Sequence, residues 1–268
     1  MMHYSGKQVR KLSSKRKKIT KWDLFKVFLT SFFMQAVWNF RSLISIGFSI
    51  CFFPVIGKLC DSPEAKKDFF QRHLKFFNAH PYFASFALGV SIRLEEMRSE
   101  GQAQMPETVD RLKEMLVSPL GAVGDRLFWV TIKPACLLTG MVGILIAPTV
   151  TARLITLAIT FLIYNIPHFY YRYQGIIEGY NHPFDIHNFI SQQRFEVLRK
   201  MFVYLFSISL TALVILFIYH LFQLKLPHML FFLASVFYTY IFMKISHNFY
   251  LVTLGSFIFF LFAAILFL

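Results

Sequence analysis

From Met201 onward, Lys225 and Lys244 are the only Lys, Arg, Asp or Glu residues. They divide the tail into uncharged stretches of 24, 18 and 24 residues, at 201–224, 226–243 and 245–268. Crossing about 30 Å of hydrocarbon takes about 20 helical residues. Lipid offers unpaired backbone groups no partner, so each stretch predicts a helix. One such stretch alone would also fit a buried helix of a soluble protein; three in succession favour the membrane. Two further uncharged runs, 135–152 and 154–171, flank Arg153, and the second carries Asn165 and Pro167. Residues 172–200 read as a polar connection.

The first half is more interrupted. Thr20 and Asp23 form a T-x-x-D capping box that predicts a helix through Leu24–Val37. Trp38, Asn39 and Arg41 break the apolar pattern. Gly47 and Pro54 loosen the next stretch, which ends near Leu59. Ser62, Pro63 and Glu64 give a second start: a cap, a proline at the first helical position and an acid in the first turn. The uncharged run Phe76–Ile92 holds Asn78, His80 and Pro81. It is short for a span and predicts a helix broken at Pro81, or a re-entrant segment. Residues 93–117 read as a soluble segment, with Val109, Leu112 and Leu116 on one face of a short amphipathic helix over Pro106–Val117. Ser118–Asp125, with Pro119, Gly121 and Gly124, predicts a tight small-residue turn. The fold class expected is an all-α, polytopic membrane protein with broken or re-entrant helices. Its organisation is a basic, mobile tail over 1–18 and a single membrane domain over 19–268.

Composition agrees: 56% of residues are hydrophobic, 34 are Phe, and mean hydropathy is +0.52. The net charge of +14 is uneven. Residues 1–26 carry nine Lys or Arg against Asp23. Such a run also fits a nucleic-acid arm. Ahead of an apolar helix it reads better as a positive-inside signal that keeps the N-terminus in the cytoplasm, without nucleic acid as a partner. It would also attract anionic lipid headgroups. No A-x-A-like cleavage site follows the apolar run, so it does not read as a signal peptide. Cys51, Cys60 and Cys136 suit neither a zinc site nor a redox pair and read as reduced, apolar residues.

Polar groups at membrane depth usually face protein or a cavity and often mark a pathway. Asn78–Pro81 and Pro119–Asp125 combine such groups with helix-breaking residues, the arrangement of broken helices around a transport site. Sugars are bound by amides and carboxylates, and Asn78, Asp125, Asn39 and Gln35 are the right types. Equally, Asn78 and His80 could cap a helix break, and Asp125 could pair with Arg126 or Arg93. Trp22, Trp38 and Trp129 read as interface anchors rather than substrate platforms. His182, Asp185 and His187 read as a solvated loop rather than a metal site, since no fourth ligand is apparent. No nucleophile–base set, phosphate loop, metal site or cofactor site is visible, so no catalytic residue is assigned.

Several segments in order resemble the IID membrane subunit of the mannose/fructose/sorbose family of the bacterial phosphotransferase system. They are ITKWDLFKVFLTSFFMQAVWNF (19–40), GFSICFFPVIGKL (47–59), RHLKFFNAHPYFASFALGVSIRLEEMRSEG (72–101) and SPLGAVGDRLFWVTIKP (118–134), with a looser likeness through YNIPHFYYRYQGIIEGY (164–180). The resemblance implies a multi-pass protein of the bacterial cytoplasmic (inner) membrane. It implies work with a IIC membrane subunit to form a hexose path, with the phosphohistidines on cytoplasmic IIA and IIB carriers and none on this chain. It further implies a trimer of IIC–IID heterodimers. Pathway candidates are Asn78, His80, Asp125, Asn39 and Gln35, and structural motif positions are Pro81, Pro119, Gly121, Gly124 and Trp129. Ala79, Ser118, Arg126, Val130 and Lys133 depart from the family pattern. They keep a second reading open: a scaffold or regulatory receptor that retains the fold without sugar transport.

Overall fold

A computed structural model describes residues 18–101, 105–223, 225–245 and 248–267. The basic tail expected over 1–18 lies outside them except for Lys18. Among the described residues the chain is helical, with isolated bridges and no strand.

The chain opens with α1 (Lys21–Thr30), capped by the predicted box: the Thr20 hydroxyl accepts from Asp23 N–H, and the Asp23 carboxylate accepts from Thr20 N–H. A 3-10 turn, Ser31–Phe33, ends it. The chain folds back through α2 (Ser45–Ile50) and α3 (Ile56–Leu59). Lys58 Nζ meets Asp23 Oδ2 at 2.5 Å, and Thr30 Oγ1 donates to the Cys51 carbonyl at 3.2 Å, so the two arms form a hairpin. At 1.5 Å per residue, α1 is about 15 Å long, half a bilayer core. Next comes α4 (Pro63–His73), capped by Ser62 with Pro63 at its first position. Residues 74–83 are irregular, as Pro81 predicts, and α5 (Ala84–Ser99) follows.

The region of the expected tight turn is different. Here α6 (Met105–Gly124) runs through Pro119, continues as a π-helical stretch (Asp125–Ile132), and passes into α7 (Lys133–Ile146). A turn would strip backbone groups of partners in apolar surroundings; the chain instead tolerates a proline inside the helix. Val109 and Leu116 are buried as expected, on the same α6 face as half-buried Leu112. The chain ends with α8 (Val150–Asn181), α9 (Ile186–Ile190), α10 (Gln192–Gln223), α11 (Leu226–Ile245) and α12 (Phe249–Phe267).

Among the described residues, four helical stretches are long and apolar enough to cross a membrane: Thr108–Ile146, Val150–Asn181, Ile186–Gln223 and His228–Ile245. The protein is a multi-pass membrane protein. It divides into two compact units, Met1–Ser209 and Leu210–Leu268. In the second, α11 packs on α12 through Tyr238 stacked on Phe259 at 4.5 Å. In the first, α5 crosses α8 with backbones in contact. A Cβ at Gly89 would lie 2.2 Å from the Ile176 carbonyl oxygen, and one at Gly179 would lie 2.3 Å from that of Phe86. Small residues permit this approach. All three cysteines are buried, and none forms a disulfide.

The Arg72–His73 and Glu95–Glu96 pairs tie the hairpin, α4, α5 and α8 together. Arg72 donates from Nε and a terminal nitrogen to both Glu95 oxygens at 3.1 Å, and Arg98 Nε donates at 3.2 Å. The His73 ring lies between Phe52 and Phe69 and bonds Glu95 Oε1 through Nε2 at 3.1 Å. Glu96 accepts from Ile19 N–H at 3.0 Å, Arg93 at 2.7 Å and the Tyr180 hydroxyl at 2.5 Å. Burial pushes His73 below its ordinary range despite Glu95, so the neutral ring donates. Burial alone would raise Glu95; the His73 bond with the charges of Arg72 and Arg98 outweighs it and holds the carboxyl low. Both groups therefore sit below their unfolded values of about 6.5 and about 4.3. Their stabilisation is present at neutral pH and is lost as pH falls, first through His73 and then through Glu95. Melting in mild detergent should show this acid loss. Glu95→Gln should flatten its lower part and cost about 3–5 kcal/mol at pH 7, because the Arg72 charge loses its partner. An unaltered acid limb in that variant would refute the assignment.

Candidate functional site

The break at 74–83 gathers the chemistry. Pro81 has no N–H, and it disfavours helical backbone at His80. The Phe77 carbonyl accepts from Ile44 N–H at 3.2 Å, which pins the hairpin turn against the break. That turn is organised by Asn39, whose Oδ1 accepts from the N–H groups of Arg41 at 3.0 Å and Ser42 at 2.9 Å. Leu43 adopts φ of 53°, a left-handed conformation costly for a branched side chain. The His80 carbonyl accepts from Phe83 and Ala84 N–H and so starts α5.

The His80 side chain is 1% exposed. Its Nδ1 accepts from Tyr82 N–H at 3.3 Å. In the neutral ring the proton then sits on Nε2, which is buried without a partner. The ring stacks on Phe128 at 5.5 Å and meets Trp129 edge-on at 5.0 Å, both from the π-helical stretch. Gly124 is the floor: a Cβ there would lie 2.3 Å from His80 Cβ. Single π-helical turns are frequent at functional sites. Two distant motifs thus meet at His80.

The remaining sequence candidates divide. Asp125 is half-buried at the start of the π-helical stretch, next to Gly124, and has no hydrogen-bond or ion-pair partner among the described residues. It pairs with neither suggested arginine; Arg93 bonds Glu96 instead. Asn78 and Gln35 are exposed. Asn39 spends its amide on its own turn, donating to Ser42 Oγ at 3.0 Å. Trp129 is half-exposed at 48% over His80. Gly121 meets nothing within 4 Å, so no close approach requires it. Pro119 lies inside α6 rather than in a turn. Among the described residues no three His, Cys, Asp or Glu side chains converge to hold a metal ion.

A polar chain that the sequence reading passed over extends from this site. Tyr82 stacks on His168 at 3.6 Å, and its hydroxyl bonds that of Tyr164 at 2.8 Å. His168 Nε2 accepts from Arg172 Nε at 3.1 Å. The Arg172 guanidinium is 3% exposed, bonds the carbonyl and hydroxyl of Ser31, and lies over the rings of Phe32 at 4.8 Å and Tyr82 at 5.2 Å. No carboxylate pairs with it among the described residues. The available signal was Arg172 at the end of the uncharged run 154–171, one helical turn beyond His168. The spacing of Gly175 and Gly179, a G-x-x-x-G in an apolar helix, likewise announced the α5–α8 contact.

The chain matches the model of the phosphotransferase-system mannose/fructose/sorbose family IID component over residues 18–228. It is 35% identical over 171 residues to the mannose-specific EIID component of Escherichia coli strain K12, covering 63% of this chain and 59% of that protein. It is 37% identical over 127 residues to the sorbose-specific EIID component of Lacticaseibacillus casei, covering 47% of this chain and 44% of that one. These matches therefore span under two thirds of the relatives' length. Among solved structures it is similar to the cryo-EM structure of the mannose transporter ManYZ with microcin E492 (MceA). There the TM-score is 0.57 at 32% identity, over 74% of this chain and 71% of that one.

Proposed function

The chain belongs to the mannose/fructose/sorbose family of phosphotransferase-system IID components, and from that premise we propose that it is a membrane subunit of a sugar permease. It forms the translocation path with a IIC subunit, and uptake is coupled to phosphorylation by cytoplasmic IIA and IIB carriers. The reading is carried by the family match across residues 18–228. The geometry supports it: an unpartnered imidazole N–H and an unpaired carboxylate adjoin a helix break packed on a π-helical stretch, which is chemistry for sugar hydroxyls. We place the protein in the bacterial inner membrane with its basic N-terminus in the cytoplasm, by the positive-inside rule. A trimer of IIC–IID pairs is the assembly this family membership suggests.

The scaffold reading gains nothing from Arg126. Its side chain is exposed and borders a small cavity with Glu196 and Arg199 rather than the His80 ring. Co-purification with the IIC chain, followed by phosphoenolpyruvate-dependent uptake in cells, tests the permease reading. One complex and sugar-specific uptake are expected; a IID chain that never associates with IIC would refute it. Asp125→Asn and Asn78→Ala should abolish uptake while leaving the protein in the membrane, and unchanged uptake in both would remove these residues from the path. Gly124→Leu should fail earlier, because its side chain collides with His80; normal assembly and uptake in that variant would contradict the contact.

A further inference from the structure

The helices α7 and α8 are joined by a three-residue link, with Gly140 facing Thr160 and Gly143 facing Thr156. Beside this contact lies an open groove of about 740 Å³, a size typical of ligand sites. Its walls are almost wholly apolar: Leu137 and Cys136 from α7, and Leu157, Ala158 and Phe161 from α8. Lys133 lines one end, exposed and without an ion-pair or hydrogen-bond partner among the described residues. No carboxylate lines the groove.

The charges fix its depth. Arg153 and Arg172 bracket 18 uncharged residues of α8, about 27 Å of helix, which matches the hydrocarbon thickness. The pairing of Gly140 with Thr160 and Gly143 with Thr156 sets Lys133 level with about residue 167, near the Arg172 end. Lys133 thus lies toward headgroup level while the groove runs into the hydrocarbon layer. Such a lysine attracts anionic headgroups.

We propose that this groove seats an acyl chain of one anionic phospholipid, with the phosphate against Lys133. The groove borders the polar chain from His80 at Tyr164, and the proposal does not depend on which sugar is carried.

The test uses the full-length chain extracted from membranes and supplemented with a photoreactive phosphatidylglycerol carrying a diazirine in its acyl chain. Labelling should fall on the α8 peptide containing Leu157–Phe161 and be competed by unlabelled phosphatidylglycerol but not by phosphatidylcholine. Lys133→Glu should reduce it at least tenfold, Lys133→Arg should retain it, and Ala158→Phe, which fills the groove without touching the charge, should also abolish it. Labelling unchanged in Lys133→Glu and Ala158→Phe overturns the proposal, as does equal competition by phosphatidylcholine. A cysteine introduced at Phe161 that cross-links to a co-expressed IIC chain would show the groove to be a subunit seat, and would overturn it too. If Lys133→Glu fails to elute as a folded species, the wild-type competition and Ala158→Phe still decide.

Discussion

Gly179→Leu should prevent α5 and α8 from packing, and the protein should be lost from the membrane or recovered only as aggregate. The Cβ of any residue larger than glycine would lie 2.3 Å from the Phe86 carbonyl oxygen and 2.8 Å from the Val90 nitrogen. Those are backbone atoms of the facing helix, so no side-chain rotation relieves the clash. The helices must separate, and α5 carries Glu95 and Glu96, which hold the hairpin and α4. Overpacking a core typically costs about 1–3 kcal/mol; a clash with backbone at a crossing that anchors three other elements should exceed that range. Gly179→Ala already adds the offending atom, so it too should lower expression and melting temperature. Gly121→Ala, where nothing lies within 4 Å, is the matched control and should be neutral. Equal yields and melting temperatures for the Gly179 and Gly121 variants would contradict the crossing.

Arg172→Met should separate stability from activity. A buried cation without an anion is costly, and apolar replacements of buried charges are often neutral or stabilising. The variant loses a donor to the Ser31 carbonyl, a penalty of about 1–3 kcal/mol, and regains the desolvation cost of the guanidinium. Melting temperature should therefore change by only a few degrees. Uptake on the permease reading should fall at least tenfold, because Arg172 fixes the ring of His168, which fixes Tyr82 and through its N–H the orientation of His80. Unimpaired uptake would reduce Arg172 to a structural tie, and a collapse in melting temperature would show that its bonds to Ser31 hold the hairpin.

The legible part of this fold was the part governed by local rules. The capping box at Thr20, the Ser62-Pro63 start and the break at Pro81 depend on residues within one turn, and each lies where the pattern placed it. The uncharged tail gave its three helices because charge spacing alone limits a membrane span. Ser118–Asp125 misled because Pro and Gly are turn signals in water, whereas in apolar surroundings the helix is the safer course for the backbone. At the candidate site, His80 and Gly124 were both flagged, but their contact was not, since it joins segments 44 residues apart. The partnering of Arg72 and His73 with Glu95 escaped for the same reason. Asn39 and Gln35 were picked by functional-group type, and type does not reveal that Asn39 is committed to its own turn.

The π-helical stretch carries a consequence for inheritance. On one side of it, α6 must turn Gly124 toward His80; on the other, α7 must turn Gly140 and Gly143 toward α8. In an α-helix each residue added or removed rotates everything beyond it by about 100°. The wide turns of Asp125–Ile132 therefore act as a phase adjuster between two faces that have to be right at once. Within those eight residues the count matters as well as the side chains, of which Leu127, Phe128, Thr131 and Ile132 are buried. A single deletion there would leave every neighbouring residue intact and still point half the helix the wrong way.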